Sequence, residues 1–189
     1  MELVFLSSAL LLNSCKTAEF GFKVIDVSGM VYDFSNRPVP HYEIALDKRY
    51  KGSTDINGRF TLPKVPAGIY KMTGYKGGFE NYSDEIIIKE RGQIVYIRIP
   101  SQNQLLGLVE EALVLNDFTL AEEMAERAYQ VDKNNLDMLF YYAVVMFRQR
   151  QFNKAFVFLK SAADLGSKDL YAQKFLTILK EMQNEVQKK

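Results

Sequence analysis

The side chains that most often carry out chemistry are scarce in this chain of 189 residues: Cys15 is its one cysteine and His41 its one histidine. A single thiol excludes an internal disulfide, and a single imidazole makes a histidine-based zinc site or a Ser-His-Asp triad hard to assemble. The sequence also lacks a glycine-rich phosphate loop, metal-ligand spacing and a nucleophile motif. We therefore expect no enzyme, no cofactor and no metal site, and we interpret His41 as an ordinary surface or half-buried residue.

Cys15 follows an almost unbroken apolar run over residues 3–12, about half of the roughly 20 residues that a membrane-spanning helix needs. A run of this length is typical of the hydrophobic part of a secretory signal peptide. The run ends in Leu12-Asn13-Ser14-Cys15. A leucine three residues before a cysteine, with a small residue directly before the cysteine, resembles a bacterial lipoprotein signal. In that family the cysteine sulfur is lipidated and the cysteine becomes the first residue of the mature protein.

This resemblance implies a signal peptide at residues 1–14, lipidation of Cys15 and a tether over residues 15–22. It further implies a membrane protein held by lipid at the bacterial cell envelope, facing the periplasm or the surface. The lipid anchor of this family carries two or three acyl chains, and stable attachment requires more than one. The alternative for Cys15 is a free or buried thiol. Only Met1 and Glu2 precede the apolar run, so we expect the basic region of such a signal upstream.

Residues 23–100 alternate apolar and polar side chains between turn signals, which is typical of β-strands. Six or seven short strands at this spacing predict an antiparallel β-sandwich. The stretches 85–88 and 94–99 lie on either side of Gly92-Gln93, and we predict that they pair as a hairpin.

A turn is predicted at Asp55 to Gly58, where Asp55 and Asn57 can close Asx-type turns and the glycine supplies a positive φ. The alternative is that Asp55 and Asn57 are calcium ligands, but the later glutamate of a twelve-residue calcium loop is missing. We predict the turn, and we expect Phe60 to lie in the core of the strand that follows it.

Four turn-and-strand elements follow one another in the order of a known domain. They are Gly29-x-Val31-x-Asp33, Pro38-Val39, Thr54-Asp55-x-Asn57-Gly58-x-Phe60 and Pro66-x-Gly68-x-Tyr70. This order resembles the carboxypeptidase regulatory-like domain, which implies a transthyretin-like sandwich of seven strands. The resemblance implies no chemistry, because in zinc carboxypeptidases this domain accompanies a separate catalytic unit. In other envelope proteins of bacteria it serves as a spacer or a docking module.

The loop 74–83 combines glycines with three aromatic side chains, Tyr75, Phe79 and Tyr82. Such a loop could stack on a sugar ring or a peptide. This makes a carbohydrate- or peptidoglycan-binding envelope lipoprotein the second functional hypothesis. The alternative is that the glycines only turn the chain between two strands.

Residues 102–189 have apolar side chains at helical spacing and an internal repeat of 34 residues. The repeated pairs are Phe118 and Phe152, Ala121 and Ala155, Ala125 and Leu159, and Ala128 and Ala162. This period resembles that of tetratricopeptide repeats, in which stacked helix pairs bury apolar faces that no single pair can bury. The resemblance implies two repeats, 102–135 and 136–169, and a capping helix at 168–186.

The inner face of such an array comes from the first helix of each pair, and we predict a partner-binding groove there. The predicted groove residues are Leu106, Glu110, Leu113, Phe140, Tyr141, Val144, Phe147 and Arg148. The aromatic members could form an open peptide groove, or they could lie buried against the C-terminal helix or the β-domain. The lysine–asparagine set with which some repeats bind a C-terminal carboxylate is missing at these positions.

Together these patterns predict an α+β chain in separate domains, an N-terminal transthyretin-like antiparallel β-sandwich and a C-terminal helical solenoid of two repeats plus a capping helix. The first functional hypothesis is a lipid-anchored, non-enzymatic scaffold or adaptor of the cell envelope, with a protein or peptide partner bound by the repeats. A formal net charge of +1 gives no reason to expect nucleic acid as a partner. Two repeats are fewer than the three usually needed for stability. We therefore expect the solenoid to gain stability from its end helix, from the β-domain or from self-association, and the last alternative implies a homo-oligomer.

Overall fold

The computed structural model describes residues 24–89, 92–166, 173–177 and 180. The predicted signal peptide, Cys15, the tether and much of the predicted capping helix lie outside these residues. In the described part, seven strands come first and four helices follow. The predicted fold class is confirmed: a β-sandwich-like region of two sheets precedes a helical region that packs like tetratricopeptide repeats.

The β-region is built from seven strands in two sheets. The strands are β1 (Val24–Tyr32), β2 (Glu43–Leu46), β3 (Tyr50–Ser53), β4 (Arg59–Pro66), β5 (Gly68–Tyr75), β6 (Tyr82–Ile88) and β7 (Ile94–Arg98). One sheet has the order β4-β1-β7 and the other the order β3-β2-β5-β6. The pairs are antiparallel except that β1 and β7 run parallel. Buried and exposed side chains alternate along β1 and β5, so each sheet has one inner and one outer face.

Large apolar side chains fill the interior of the β-region. Leu46, Leu62 and Met72 are fully buried, and they belong to one core cluster with residues of both sheets. Phe60 lies in this core, as predicted. Burying a side chain of this size stabilises a fold by roughly 1.5–3 kcal/mol, so this core is the main source of stability for the sandwich.

The turn before β4 has the predicted Asx geometry. Asp55 Oδ1 accepts hydrogen bonds from the backbone N–H groups of Asn57 and Arg59, both at 2.8 Å. Gly58 has a φ of 73°, and a Cβ atom there would lie 2.5 Å from the Val31 carbonyl oxygen. The turn therefore requires glycine. Within the described residues, no group of three or more histidine, cysteine, aspartate and glutamate side chains could hold a metal ion.

The predicted hairpin between residues 85–88 and 94–99 is wrong. β6 pairs with β5, whereas β7 crosses to the other sheet and pairs with β1. This crossing buries Ile97 in the core and pairs the second edge of β1. The Gln93 side chain still links the two strands, because its Nε2 donates to the Ile87 carbonyl oxygen at 2.7 Å.

The helical region consists of two helix pairs. The helices are α1 (Gln102–Val114), α2 (Phe118–Val131), α3 (Leu136–Arg148) and α4 (Phe152–Asp164). α3 and α4 begin 34 residues after α1 and α2, so the helices keep the period of the sequence. Ser101 starts α1 with a capping box, and the Asn135 side chain caps α3 by accepting from the Met138 N–H at 2.9 Å. No helix in the described part of the chain has the length and apolar character needed to cross a membrane.

Alanines allow the four helices to approach one another closely. Ala121, Ala128, Ala143 and Ala155 are all fully buried in a single helical core. Larger side chains at such positions would force the helices apart, at a cost of typically 1–3 kcal/mol. The repeated alanines of the sequence therefore mark helix–helix contacts.

Candidate functional site

Most of the predicted groove residues lie on one surface formed by α1 and α3. We use the name inner helical face for Glu110, Leu113, Phe140, Tyr141, Val144, Phe147 and Arg148. Leu106 does not belong to this surface, because its side chain is buried in the helical core. It lies with Leu105 and Val109 on the side of α1 that packs against the other helices. This corrects the prediction that Leu106 lines a groove.

Polar contacts join the helices across the inner helical face. The Tyr141 hydroxyl donates a hydrogen bond to the Glu110 carboxylate, and this bond, helped by partial burial, raises the pKa of Tyr141 to about 12. Arg148 Nη2 donates to Asn116 Oδ1 at 2.6 Å, and the guanidinium lies 5.1 Å from the centroid of the Phe118 ring. Glu110 and Arg148 are exposed, so a partner could reach both charges.

The aromatic side chains of the inner helical face pack against their own chain. The Phe147 ring centroid lies 5.0 Å from that of Phe175 and 5.5 Å from that of Phe152. Phe140 and Phe175 have ring centroids 6.4 Å apart. Phe175 belongs to the helical residues 173–177, within the predicted capping helix. Of the two alternatives, the structure therefore favours burial of these rings against the C-terminal helix over an open groove.

The three aromatic side chains of the loop 74–83 do not form one platform. Tyr82 pairs with Gly74 across β5 and β6, so Tyr75 and Tyr82 point to opposite faces of the sheet. Tyr75 is 57% exposed on the outer face. Tyr82 and Phe79 are half-buried and pack against the core of the β-region. The geometry does not favour the second functional hypothesis in the form of a sugar stacked on all three rings.

The loop between β5 and β6 holds the helical region against the β-region. The Glu80 carboxylate accepts two hydrogen bonds from the Arg127 guanidinium of α2, from Nε at 2.7 Å and from Nη2 at 2.8 Å. The two side chains are 24% and 31% exposed. A bidentate pair of this kind is among the stronger hydrogen-bonded contacts in proteins. The hydrogen bonds to Glu80 also raise the pKa of Arg127, so the guanidinium stays ionised.

Backbone contacts reinforce this contact between the regions. The Gln102 N–H donates to the Gly78 carbonyl oxygen at 2.9 Å, and the Glu80 N–H donates to the Pro100 carbonyl oxygen at 3.0 Å. The buried Gln102 side chain donates to the Ala128 carbonyl oxygen at 3.0 Å, which joins the start of α1 to the end of α2. We use the name domain junction for Gly78, Glu80, Pro100, Gln102 and Arg127.

Tyr42 supports the domain junction from within the β-region. Its buried hydroxyl donates to the Glu80 carbonyl oxygen at 3.0 Å and accepts from the Tyr82 N–H at 3.1 Å. Burial raises the pKa of Tyr42. A Cβ atom at Gly74 would lie 2.3 Å from the Tyr42 ring, so the glycine is required there. Sequence patterns missed this arrangement because Glu80 and Arg127 lie 47 residues apart and belong to no local motif.

Two family models match separate parts of the chain. The model described as polysaccharide lyase family 4, domain II, matches residues 22–95. The model described as anaphase-promoting complex, cyclosome, subunit 3, matches residues 115–184. Each match covers less than half of the chain, and they support a β-domain followed by a tetratricopeptide-like repeat. The resemblance to the carboxypeptidase regulatory-like domain stays a prediction.

Solved structures show weaker likenesses. Two chains from interface mutants of a type II cohesin–X-dockerin complex of Acetivibrio cellulolyticus are 15% and 16% identical, each with a TM-score of 0.38, and the match covers 44% of this chain and 62% of those chains. A candidate carbohydrate-binding protein from Bacteroides uniformis is 11% identical with a TM-score of 0.36, over 41% of this chain and 42% of that chain. The chain thus spans less than two thirds of the length of these structures. No curated protein matches this chain.

Proposed function

We propose that this protein is a non-enzymatic scaffold or adaptor that binds a protein partner through its helical region. The observation that carries this proposal is the match of residues 115–184 to a tetratricopeptide-like model, on helices that pack as repeat pairs. Stacked repeats of this kind present an extended surface that is well suited to binding proteins. The partner is a protein or peptide rather than nucleic acid, in keeping with the net charge of +1.

The partner contacts the charged part of the inner helical face. Glu110 on α1 and Arg148 on α3 are exposed and of opposite sign, with the half-buried Leu113 and Val144 on the same face. Phe147 packs on Phe152 and Phe175 and supports this surface from beneath. Charges at an interface fix the orientation of a partner and exclude wrong partners. The apolar residues between them supply contact area.

The β-region acts as a spacer that presents the helical region. The link from β7 to α1 contains three residues, 99–101. The hydrogen bonds of the domain junction hold this link and the helices beside it against the loop between β5 and β6. A short, clamped connection limits the freedom of the helical region before binding. Less freedom is then lost when the partner binds, which favours affinity.

The same proposal places the protein at the bacterial cell envelope, attached through lipid on Cys15. Its support is the apolar run that ends in Leu12-Asn13-Ser14-Cys15. We predict that cells grown on a radiolabelled fatty acid label the wild-type protein and do not label Cys15→Ser, because serine offers no sulfur for the acyl anchor. Ala18→Ser, close by in the predicted tether, is the control and should label like the wild type. Equal labelling of Cys15→Ser and the wild type would contradict the anchor.

The partner proposal is tested by affinity capture with the full chain from detergent-solubilised membranes. Wild type, Arg148→Glu and Lys160→Glu are compared, where Lys160 is an exposed lysine on α4 away from the inner helical face. We expect one protein to be recovered with the wild type and with Lys160→Glu, and its yield to fall about tenfold with Arg148→Glu, which corresponds to about 1.4 kcal/mol. Equal recovery with all three proteins would contradict the proposed surface.

A further inference from the structure

The outer face of the four-stranded sheet contains an open cleft that the contacts described above do not use. The cleft has a volume of about 570 Å³. We use the name outer sheet face for the residues Glu43, Ala45, Lys48, Lys51, Thr73 and Tyr75, which line it. Glu43 pairs with Tyr75, and Ala45 lies between Lys51 and Thr73, so three neighbouring strands contribute to one surface. A volume of this size can accept a short oligomeric ligand.

Tyr75 presents an open aromatic ring at this cleft. Its side chain is 57% exposed, and within the described residues no other ring or cation stacks on it. The short side chains of Ala45 and Thr73 lie on neighbouring positions of the same face, and Glu43 lies directly opposite the ring. A flat aromatic face with hydroxyl and charged groups around it suits the apolar face of a sugar ring.

The charges at the cleft favour an anionic ligand. Lys48 and Lys51 have no carboxylate partner at ion-pair distance in the described part of the chain. Lys48 sits at the tip of the turn between β2 and β3, with a φ of 61°. The neighbouring Asp47 carboxylate accepts from the Lys71 N–H at 2.9 Å and pairs with Arg49 at 3.7 Å rather than with Lys48. Glu43 also lines the cleft, so the two ammonium groups exceed its carboxylate by one positive charge, which favours a ligand of negative charge.

A peptide fits this surface less well than a sugar does. Ala45 lies on β2 and Tyr75 on β5, which are interior strands whose backbone groups pair with neighbouring strands. An added peptide strand could pair only with the edge strands β3 or β6. A ligand stacked on Tyr75 is therefore recognised by side chains. A second cleft of about 310 Å³ shares Lys48 and Thr73 and adds Asp47 and Lys71, so the surface continues beyond a single ring.

We propose that the outer sheet face binds an acidic oligosaccharide, with one sugar ring stacked on Tyr75 and sugar carboxylates contacted by Lys48 and Lys51. This site is separate from the inner helical face, and it does not depend on the protein partner proposed for the helical region. It also differs from stacking on the loop, because it uses Tyr75 without Phe79 and Tyr82.

The test is calorimetric titration of the full chain with tetrasaccharides of galacturonate, glucuronate and mannuronate, each compared with its methyl ester. The ester keeps the sugar ring and removes the negative charge. We expect at least one acidic tetrasaccharide to bind, and we expect the affinity of its ester to be lower by a factor of about ten or more. Tyr75→Ala should weaken binding of the acid about tenfold and Lys51→Gln by a smaller factor, whereas Tyr75→Phe, which keeps the ring, should bind almost as the wild type.

Two control variants make the result specific. Tyr96→Ala removes a tyrosine that is 65% exposed on β7, in the other sheet, and Lys160→Gln removes an exposed lysine on α4. Neither should change the affinity. The proposal is overturned if no acidic tetrasaccharide binds, if an ester binds as tightly as its acid, or if Tyr75→Ala and Tyr96→Ala behave alike. A polyglutamate peptide of equal charge that competes as well as the sugar would also overturn it.

Discussion

The inner helical face and the outer sheet face both place aromatic rings beside charged residues, but the rings differ in how much of their surface is exposed to solvent. On the inner helical face, Phe147 and Phe140 pack against Phe175 of the same chain. On the outer sheet face, Tyr75 is 57% exposed and contacts no other ring or cation in the described part of the chain. The rings of the first surface are therefore part of the folded core at its edge, and the ring of the second is free to contact a ligand.

The contrast between the two faces shows that the number of aromatic residues in a stretch is a poor guide to a binding surface. Rings that cluster on a helix face bury one another, because each buried ring gains free energy from the contact. What distinguishes a ligand surface is an exposed ring together with charges that have no partner. Tyr75 with Lys48 and Lys51 meets both conditions, and Glu110 with Arg148 meets the second in part, since each already has a polar contact.

The largest effect that separates the two surfaces is expected from Phe147→Ala. This change removes a ring that contacts Phe152 and Phe175, so we expect a loss of about 2 kcal/mol in the free energy of unfolding, less than for a fully buried phenylalanine. Urea denaturation measures it. Val157→Ala, at a position 59% exposed on α4, is the control and should change little. A change below about 0.5 kcal/mol for Phe147→Ala would mean that the ring is free to bind a partner.

The domain junction determines whether the two surfaces are held in a fixed relation. Glu80→Gln keeps the shape of the side chain but removes the charge that accepts both hydrogen bonds from Arg127. We expect a loss of about 1–2 kcal/mol in the free energy of unfolding, with the partial exposure of the pair keeping the value modest. Amide hydrogen exchange at Gln102 should also become faster. Glu85→Gln, an exposed glutamate on β6, should do neither. Unchanged exchange in Glu80→Gln would mean that the backbone contacts alone fix the junction.

A smaller effect is expected from the hydrogen bond between Tyr141 and Glu110. The pKa of Tyr141 is raised to about 12 in the folded protein, above the 10.0 of a free tyrosine. The stabilisation is therefore complete below pH 10 and is lost as the pH rises towards 12. Tyr141→Phe should cost less than about 1 kcal/mol at pH 7, and the difference from the wild type should shrink at alkaline pH. A carbon-13 NMR titration of ring-labelled tyrosine, assigned with Tyr141→Phe, measures the pKa. Ionisation of Tyr141 near pH 10 would contradict this hydrogen bond.

The smallest effect on stability is expected from Tyr75→Ala. Because the ring contacts no other ring or cation in the described part of the chain, its removal should change the free energy of unfolding by no more than about 0.5 kcal/mol. Urea denaturation beside Phe147→Ala makes the comparison direct. A decrease in the free energy of unfolding comparable to that of Phe147→Ala would show that Tyr75 stabilises the fold. The two surfaces would then not differ in this respect.

Local sequence signals predicted the parts of this fold that local physics determines. The Asx turn at Asp55 needs only two features. One is a carboxylate that accepts a hydrogen bond from the backbone N–H two residues later, and the other is a glycine for the positive φ. The stacked helix pairs follow from alanines that recur at 34 residues and remain buried. In both cases the residues that determine the element lie within one element or one repeat.

Long-range pairing was not predictable in the same way. The turn signal at Gly92-Gln93 is the same whether the chain returns into its own sheet or crosses to the other one, and only the burial of Ile97 decides between them. The pair of Glu80 and Arg127 depends on how the two regions dock. The opposite directions of Tyr75 and Tyr82 depend on strand register, which the glycine-rich loop does not specify.

The proposed protein partner contacts the exposed charged residues of the inner helical face. The most direct measurement is crosslinking in cells with benzoylphenylalanine placed at Glu110 or Arg148 of the full chain, with Glu123 and Lys160 as exposed control positions on α2 and α4. We expect one protein to be crosslinked from Glu110 and from Arg148 and from neither control position. If no protein is crosslinked from Glu110 and Arg148, or if the same protein is crosslinked from all four positions, the inner helical face is not the binding surface.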